Sequence, residues 1–188
     1  MQNILLVSHC VLNTASKVVL FTPQDMAAEE ALRVQFLTEA VQKGVQLIQL
    51  PCPEFTLYGA RRWGHVSNQF DNPFFRAHCR AGLQPILQQL CEYRANSERF
   101  RILGIVGIDG SPSCGVDYTC YGDWYGSFEG RTGLDQTLAT CRLGRGQGVL
   151  ISELTKLLQE YGLSQTVPVV GLFAQEPDKC LSLLQDLT

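Results

Sequence analysis

Three of the eight cysteines in this chain come shortly after apolar runs that have the composition of buried β-strands. They are Cys10, Cys52 and Cys114, which lie far apart in the sequence. In an open parallel α/β sheet the carboxyl ends of the strands share one edge, and ligands bind in the crevice outside that edge. The spacing therefore predicts that three thiols meet at one place. The alternative is that three unrelated cysteines are tolerated near strand ends.

Thiolates are soft ligands that suit zinc, copper(I) and iron–sulfur clusters. A structural zinc site takes four protein ligands, often in Cys-x2–4-Cys pairs, but the shortest cysteine separation here is that of Cys114 and Cys120. Three cysteines can instead hold three irons of a 4Fe–4S cluster and leave the fourth iron open. An open iron is a Lewis acid that prefers sulfur to oxygen. Cys120 and Cys141 are the alternatives for a fourth ligand or a reactive thiol.

Residues beside two of these cysteines add acid–base chemistry. Glu54 follows Cys52 in the stretch Pro-Cys-Pro-Glu. It can act as a general base for water or carry a proton to a leaving sulfur, and a solvated loop carboxylate is the alternative. Ser111 and Ser113 precede Cys114 in the stretch Asp-Gly-Ser-Pro-Ser-Cys-Gly, and their hydroxyls can bond cluster sulfurs, a substrate or a catalytic water. The same composition is also typical of an ordinary turn.

Three motifs together resemble the thiouracil desulfidase (TudS) family of small iron–sulfur proteins. They are Ser-His-Cys-Val-Leu-Asn at 8–13, Cys-Pro-Glu at 52–54 and Gly-Ser-Pro-Ser-Cys-Gly at 110–115, of which the last is the most specific. Two stretches depart from the usual pattern of that family. Residues 13–17 replace its Cys-Arg-Tyr-Asp-Gly, and residues 55–63 replace its Gly-Gly-Leu-Pro-Thr-Pro-Arg. The chain is therefore similar to a divergent branch of the family.

The resemblance implies a cofactor, a substrate class and roles for five residues. Cys10, Cys52 and Cys114 would hold a 4Fe–4S cluster, and the fourth iron would capture the sulfur of a thiolated small molecule similar to a nucleobase. Glu54 and Ser111 would assist the replacement of sulfur by oxygen and the release of sulfide. The second serine of the Ser-Pro-Ser-Cys motif is also available for the serine role.

Composition and charge restrict the partners. The net charge of -3 gives no general electrostatic reason to bind a nucleic acid polymer. Arg61 and Arg62 can meet an anionic substrate or lie solvated in a loop. No stretch approaches the roughly 20 apolar residues that cross a bilayer, and the first residues predict a strand rather than a secretion signal. We therefore expect a cytoplasmic protein without membrane partners, in which the cysteines are reduced and the cluster is sensitive to oxygen.

Strand-like runs alternate with helix-like segments along the chain, which is most simply one domain over 1–188. The alternation predicts an α/β fold, a three-layer sandwich with a mostly parallel four-stranded sheet. A flavodoxin-like order 2-1-3-4 would place the first and third strands side by side. Pro85 is predicted to interrupt or kink the helix over 73–93. The region 109–148 is predicted to be a long irregular loop, either functional or an aromatic surface flap.

The function that these residues favour is a desulfidase, which removes sulfur from a thiocarbonyl-containing small molecule and releases hydrosulfide. The alternative is a non-catalytic iron–sulfur or zinc module for sulfur delivery or redox sensing. A third interpretation is a metal-free nucleotide-binding α/β domain. The joint presence of Cys-Pro-Glu and Ser-Pro-Ser-Cys-Gly favours the first interpretation, whereas composition does not separate the three.

Overall fold

The computed structural model describes residues 1–185 and 187, with their side chains apart from that of residue 25. The strands are β1 (Gln2–Val7), β2 (Gln46–Gln49), β3 (Phe100–Ile108), β4 (Tyr118–Tyr121), β5 (Arg142–Arg145) and β6 (Val169–Leu172). The α-helices are α1 (His9–Leu12), α2 (Ala27–Gln42), α3 (Pro53–Tyr58), α4 (Ser67–Phe70), α5 (Pro73–Ala95), α6 (Leu134–Leu138), α7 (Val149–Glu160) and α8 (Asp178–Gln185). Short 3₁₀ helices cover Thr14–Ser16 and Pro23–Met26.

Four strands form one parallel sheet in the order β2-β1-β3-β6. This order confirms the predicted flavodoxin-like arrangement, in which the first and third strands of the sheet are neighbours. Residues 103–108 of β3 are all buried, as expected for a parallel strand that is covered on both faces. The loops after β1 and β3 therefore lie side by side at the carboxyl edge, and the loop after β2 lies one strand further along.

Helices cover both faces of this sheet, which confirms the three-layer sandwich. Alternate residues of β1 point to opposite sides, so Ile4 and Leu6 pack in one hydrophobic cluster and Leu5 and Val7 in the other. The first cluster also contains buried residues of α5 and α7, and the second contains those of α2 and α8. The two clusters hold the sheet rigidly between the helices, so the carboxyl ends of its strands have fixed positions.

Pro85 does not interrupt its helix, so the predicted division of this helix into two pieces is wrong. Helix α5 runs without a break over 23 residues with Pro85 inside it. A proline within a helix removes one hydrogen bond, but Leu83, Ile86 and Leu87 are buried on both sides of it. Their packing outweighs the lost bond. Although α5 is the longest of the helices, neither it nor any other helix in the described part of the chain is long and apolar enough to cross a membrane.

The region 109–148 is more ordered than the sequence suggests. Strands β4 and β5 pair antiparallel, with Tyr118 opposite Arg145 and Tyr121 opposite Arg142, and α6 lies between them. The sequence interpretation missed this small sheet because its strands have only four residues each and therefore show little hydrophobic alternation. The small sheet follows the third cysteine motif directly and forms its outer support.

A buried carboxylate joins α7 to α5. Glu153 contacts Arg76 and Arg80 of α5 and Lys156 of its own helix. Burial opposes the charge on this carboxylate, but hydrogen bonds from the three cations outweigh burial and lower the pKa of Glu153 below its ordinary value. The cluster fixes α7 against α5, and α7 in turn packs against the third cysteine motif.

Candidate active site

A cavity of about 470 Å³ opens at the carboxyl edge of the sheet. Its wall contains all the residues that the sequence predicts for the site, namely Cys10, Cys52, Glu54, Ser111 and Cys114. Each of them follows a strand of the parallel sheet, and the ends of these strands share one edge. The fold therefore brings together residues that are far apart in the sequence.

Cys10 and Cys52 lie at the beginnings of two short helices. Helix α1 begins at His9, directly after β1, and Cys10 Sγ lies 3.5 Å from Ser16 Oγ. Cys52 is the N-cap of α3, and its Sγ accepts a hydrogen bond of 3.4 Å from the backbone N–H of Phe55. Pro53 occupies the first helical position, where its missing N–H is not needed. Both thiols are thus held by local backbone geometry at the strand ends.

Cys114 is held by hydrogen bonds within the turn between β3 and β4. Ser111 Oγ accepts a bond of 3.0 Å from the backbone N–H of Cys114. Asp109 Oδ1 accepts bonds of 2.7, 2.9 and 3.2 Å from the backbone N–H groups of residues 116–118. Asp109 is buried and anchors the turn on both sides of the thiol. The Asp-Gly-Ser-Pro-Ser-Cys-Gly stretch is therefore a turn that is built to hold a cysteine.

Helix α7 begins in direct contact with this turn. The N–H of Gly148 donates to the carbonyl of Gly115 at 2.9 Å, and the N–H of Leu150 donates to the carbonyl of Ser113 at 2.9 Å. A Cβ atom on Gly148 would lie 2.4 Å from the carbonyl carbon of Ser113. Only glycine allows so close an approach between two backbones, so Gly148 determines how tightly α7 supports the turn.

The three thiols influence one another's ionisation. Interaction with the Cys52 thiol raises the pKa of Cys10, and interaction with the Cys10 thiol lowers the pKa of Cys52 to about 7. Burial raises the pKa of the Cys114 thiol to about 11, against the hydrogen-bonding effect of Ser113 and Ser8. Charge on Cys114 also acts on Cys10, and charge on Cys52 acts on Cys114. The thiols are thus close enough to behave as one electrostatic set.

The chemistry of these donors fits an iron–sulfur cluster held by Cys10, Cys52 and Cys114. Ser8 Oγ is buried near Cys114, and no described residue gives it a hydrogen bond of ordinary geometry. Buried hydroxyls are normally paired, and a cluster sulfur would supply the partner. Within the described chain, no three His, Cys, Asp or Glu side chains are placed to hold a single metal ion. A four-iron cluster carries each thiolate on a different iron, so its ligands do not have to meet at one point.

Glu54 lies among hydrogen-bond donors at this site. Its Oε1 accepts a bond of 2.6 Å from the hydroxyl of Ser113, and its side chain is 13% exposed. Ser113 Oγ also lies 3.5 Å from Cys114 Sγ and 3.4 Å from Ser111 Oγ. The hydroxyl in contact with the carboxylate is therefore that of Ser113, whereas Ser111 supports the backbone of the turn.

Arg62 is a member of the site that the sequence does not distinguish from its neighbour. Arg61 is exposed, but the side chain of Arg62 is only 3% exposed and its Nε lies 3.3 Å from Glu54 Oε2. Ser8 stands in the first motif, but the sequence gives it no role. An arginine in a loop and a serine after a strand are both common, so the sequence does not indicate the role of either residue. Their places follow only from the tertiary packing.

The outer wall of the cavity is largely apolar, with one ion pair. Val18, Leu20, Met26 and Phe173 line it, and the Lys17 ammonium is paired with the Glu29 carboxylate. Like Arg62, Lys17 is therefore neutralised by a carboxylate within the site. The wall offers an apolar surface and little excess positive charge, so it suits an uncharged small molecule better than a polyanion.

Cys120 and Cys141, the alternative ligands, are not in the wall of this cavity. Cys120 lies on β4, and its thiol donates to the carbonyl of His65 at 3.5 Å. Cys141 is exposed and comes directly before β5. The structure therefore provides three cysteines at the cavity and places these two elsewhere.

The fold and the cavity define an α/β protein of flavodoxin-like strand order whose strand ends gather three cysteines, a carboxylate and two serines. The chain is 30% identical to the uncharacterized protein MJ0003 of Methanocaldococcus jannaschii over 115 residues. The match covers 61% of this chain and 69% of the archaeal protein, and the chain belongs to the same family as that protein. No protein-family model and no solved structure matches the sequence.

Proposed function

We propose that this protein is a desulfidase that replaces the sulfur of a thiocarbonyl-containing small molecule, similar to a thiolated nucleobase, by oxygen. The observation that carries the proposal is the contact of Glu54 with Ser113 beside three thiols in one cavity. The resemblance of the three motifs to thiouracil desulfidases supports the same reaction. The cofactor would be a 4Fe–4S cluster on Cys10, Cys52 and Cys114.

When bound, the cluster supplies an open iron that acts as a Lewis acid toward the sulfur of the substrate. The side chains of the cavity provide the remaining chemistry. Glu54 is held by one donor on each oxygen, and each carboxylate oxygen has further acceptor capacity. A water molecule can therefore donate to Glu54 while it faces the thiocarbonyl carbon, and Glu54 removes its proton as the C–O bond forms.

The overall reaction is a hydrolysis, in which a thiocarbonyl group and one water molecule give a carbonyl group and hydrogen sulfide. The C–S bond breaks, the C–O bond forms, and no electrons are gained or lost. Glu54 takes one proton from the water as the C–O bond forms and passes it to the sulfur. The remaining proton of the added hydroxyl follows the same route as the carbonyl group forms and the C–S bond breaks, so hydrogen sulfide carries both protons and Glu54 ends the cycle in the form in which it began. Ser113 holds the carboxylate in place through both proton transfers, and Ser111 keeps the turn and the third thiol in position.

The cavity supports a small uncharged substrate. Its apolar side chains can cover the faces of a planar heterocycle, and its two cations are already paired with Glu54 and Glu29. A nucleic acid polymer would require unpaired positive charge along its backbone. The cluster and the thiols would both be preserved in a reducing cytoplasm, which is where we place the activity.

The proposal is tested by purifying the protein without oxygen and measuring iron, acid-labile sulfide and zinc per chain. About four irons and four sulfides are expected, together with sulfide release from thiolated bases. C114S should lose the cluster, whereas C141S, at an exposed site outside the cavity, should keep it. E54Q should keep the cluster and lower turnover about 100-fold or more, the usual contribution of a general base.

Each contrary result has a definite meaning. Stoichiometric zinc, or a folded protein without metal after anaerobic reconstitution, would reject the desulfidase mechanism. A full cluster without sulfide release from any thiolated base would reject the enzymatic function and favour a non-catalytic module that delivers sulfur or senses redox state. Full cluster absorbance in C114S would reject the ligand assignment.

A further inference from the structure

The guanidinium group of Arg62 contacts two separate parts of the site. Besides Glu54, it donates through Nη1 to the carbonyl of Gly59 at 3.1 Å and through Nη2 to the carbonyl of Ser16 at 2.7 Å. Glu54 lies in α3 and Gly59 caps its end, whereas Ser16 belongs to the loop that follows Cys10. One buried side chain therefore joins two segments that come from different strand ends.

Ser16 contacts both Arg62 and the Cys10 thiol. It is buried, and its hydroxyl lies 3.5 Å from Cys10 Sγ and donates to the carbonyl of Asn13 at 3.1 Å. Arg62 therefore contacts Ser16, which in turn lies beside the Cys10 thiol. Arg62 also contacts Glu54, which is two positions after Cys52 in the sequence. These contacts link the first two thiols independently of any bound metal.

The two joined segments are also the stretches where the sequence departs from the thiouracil desulfidase pattern. Ser16 lies in the stretch 13–17, and Arg62 lies in the stretch 55–63. The two departures are in contact at 2.7 Å. One side-chain contact therefore joins the two stretches.

We propose that Arg62 is a positioning residue that ties the loop after Cys10 to the helix after Cys52 and orients the Glu54 carboxylate toward the cavity. The effect on catalysis rests on the proposed desulfidase function, whereas the tie between the loops does not. An arginine is required because its planar fork presents several donors in fixed directions. A lysine at this position retains the charge but has a single nitrogen, which cannot reach three acceptors that lie on different sides.

The first test compares R62A, R62K and R61A in the cluster-loaded enzyme. R62A should lower kcat about 10- to 100-fold with little change in KM, as expected when a catalytic group is misplaced by about 1 Å. Free guanidinium at a non-denaturing concentration should restore part of this kcat in R62A, and tetramethylammonium should not. R62K should stay impaired, and R61A should behave as the unchanged protein. An unchanged kcat in R62A, or a loss confined to KM, would overturn the role of Arg62.

The second test needs neither the cluster nor turnover. In the metal-free chain, the rate of iodoacetamide alkylation at Cys10 is measured by peptide mass spectrometry for each variant. R62A and R62K should be alkylated about 5- to 10-fold faster, since losing one or two hydrogen bonds raises the open population by about this factor. R61A should match the unchanged chain. Equal rates in all four proteins would overturn the tie even if the enzyme were active. If R62A does not fold, R62K decides both tests.

Discussion

Removing the hydroxyl of Ser113 tests which of the two serines of the third motif acts on the Glu54 carboxylate. In S113A, Glu54 loses its shortest hydrogen bond, the one of 2.6 Å at Oε1, and keeps only its contact with Arg62. A hydrogen bond to a charged group contributes about 1.5–3 kcal/mol. If this bond holds the carboxylate in the reactive orientation, its loss lowers kcat/KM by about 10- to 100-fold, because 1.4 kcal/mol corresponds to a factor of ten.

The matched variant is S111A, which removes a different bond. Ser111 Oγ accepts the backbone N–H of Cys114 at 3.0 Å, and this neutral bond supports the turn. Its loss should reduce the free energy of unfolding by about 1 kcal/mol. Turnover per intact cluster should change much less than in S113A. The two variants therefore separate an effect on chemistry from an effect on stability.

The assay measures sulfide release per iron, so that cluster loss and slow turnover are counted separately, and urea denaturation gives the stability of each metal-free variant. We expect S113A to retain its iron with low turnover, and S111A to be less stable with near-normal turnover per cluster. The reverse order of turnover would refute the reasoning. It would assign the catalytic hydroxyl to Ser111, as the family resemblance implies.

Two further predictions concern the supports of the site. G148A should lower the free energy of unfolding by about 1–3 kcal/mol through overpacking and reduce bound iron, because its Cβ would lie 2.4 Å from the Ser113 backbone. The control is G64A, which has open space around it. Urea denaturation and iron assays measure both variants. E153Q should lower the unfolding free energy by about 1.5–3 kcal/mol at pH 7, because the partly exposed Arg76, Arg80 and Lys156 lose their hydrogen bonds to a charged carboxylate. Since the pKa of Glu153 is lowered in the fold, this stabilisation is present above the ordinary carboxyl range and disappears as the pH falls below about 4; an equal difference at pH 7 and pH 3 would contradict it.

The sequence predicts the sheet well because its strands have strong local signals. The apolar run of β3 is buried on both faces, and the alternation with helices leaves few possible strand orders. Pro85 was misjudged because its local penalty is offset by apolar contacts that the sequence does not reveal. The pairing of β4 with β5 was missed because strands of four residues are too short to show a clear hydrophobic pattern.

At the site, the residue types were predictable but their contacts were not. Cys10, Cys52 and Cys114 follow strands, so the topology alone places them at one cavity. The choice between the two serines depends on a contact across 59 positions, from Ser113 to Glu54. Side-chain direction in a tight turn decides such a contact, and a single sequence holds no record of it. The same reason explains why Arg61 and Arg62 could not be told apart.

The strand order also has a consequence for the biogenesis of this protein. Cys10 and Cys52 follow the neighbouring strands β1 and β2, which are synthesised first, so the pairing of these two strands brings their ends together. The third thiol joins them only after β3 has left the ribosome and docked on the other side of β1. A nascent chain without β3 therefore holds two of the three thiols. If the proposed cluster needs all three, it can be inserted only after the parallel sheet has formed around β1.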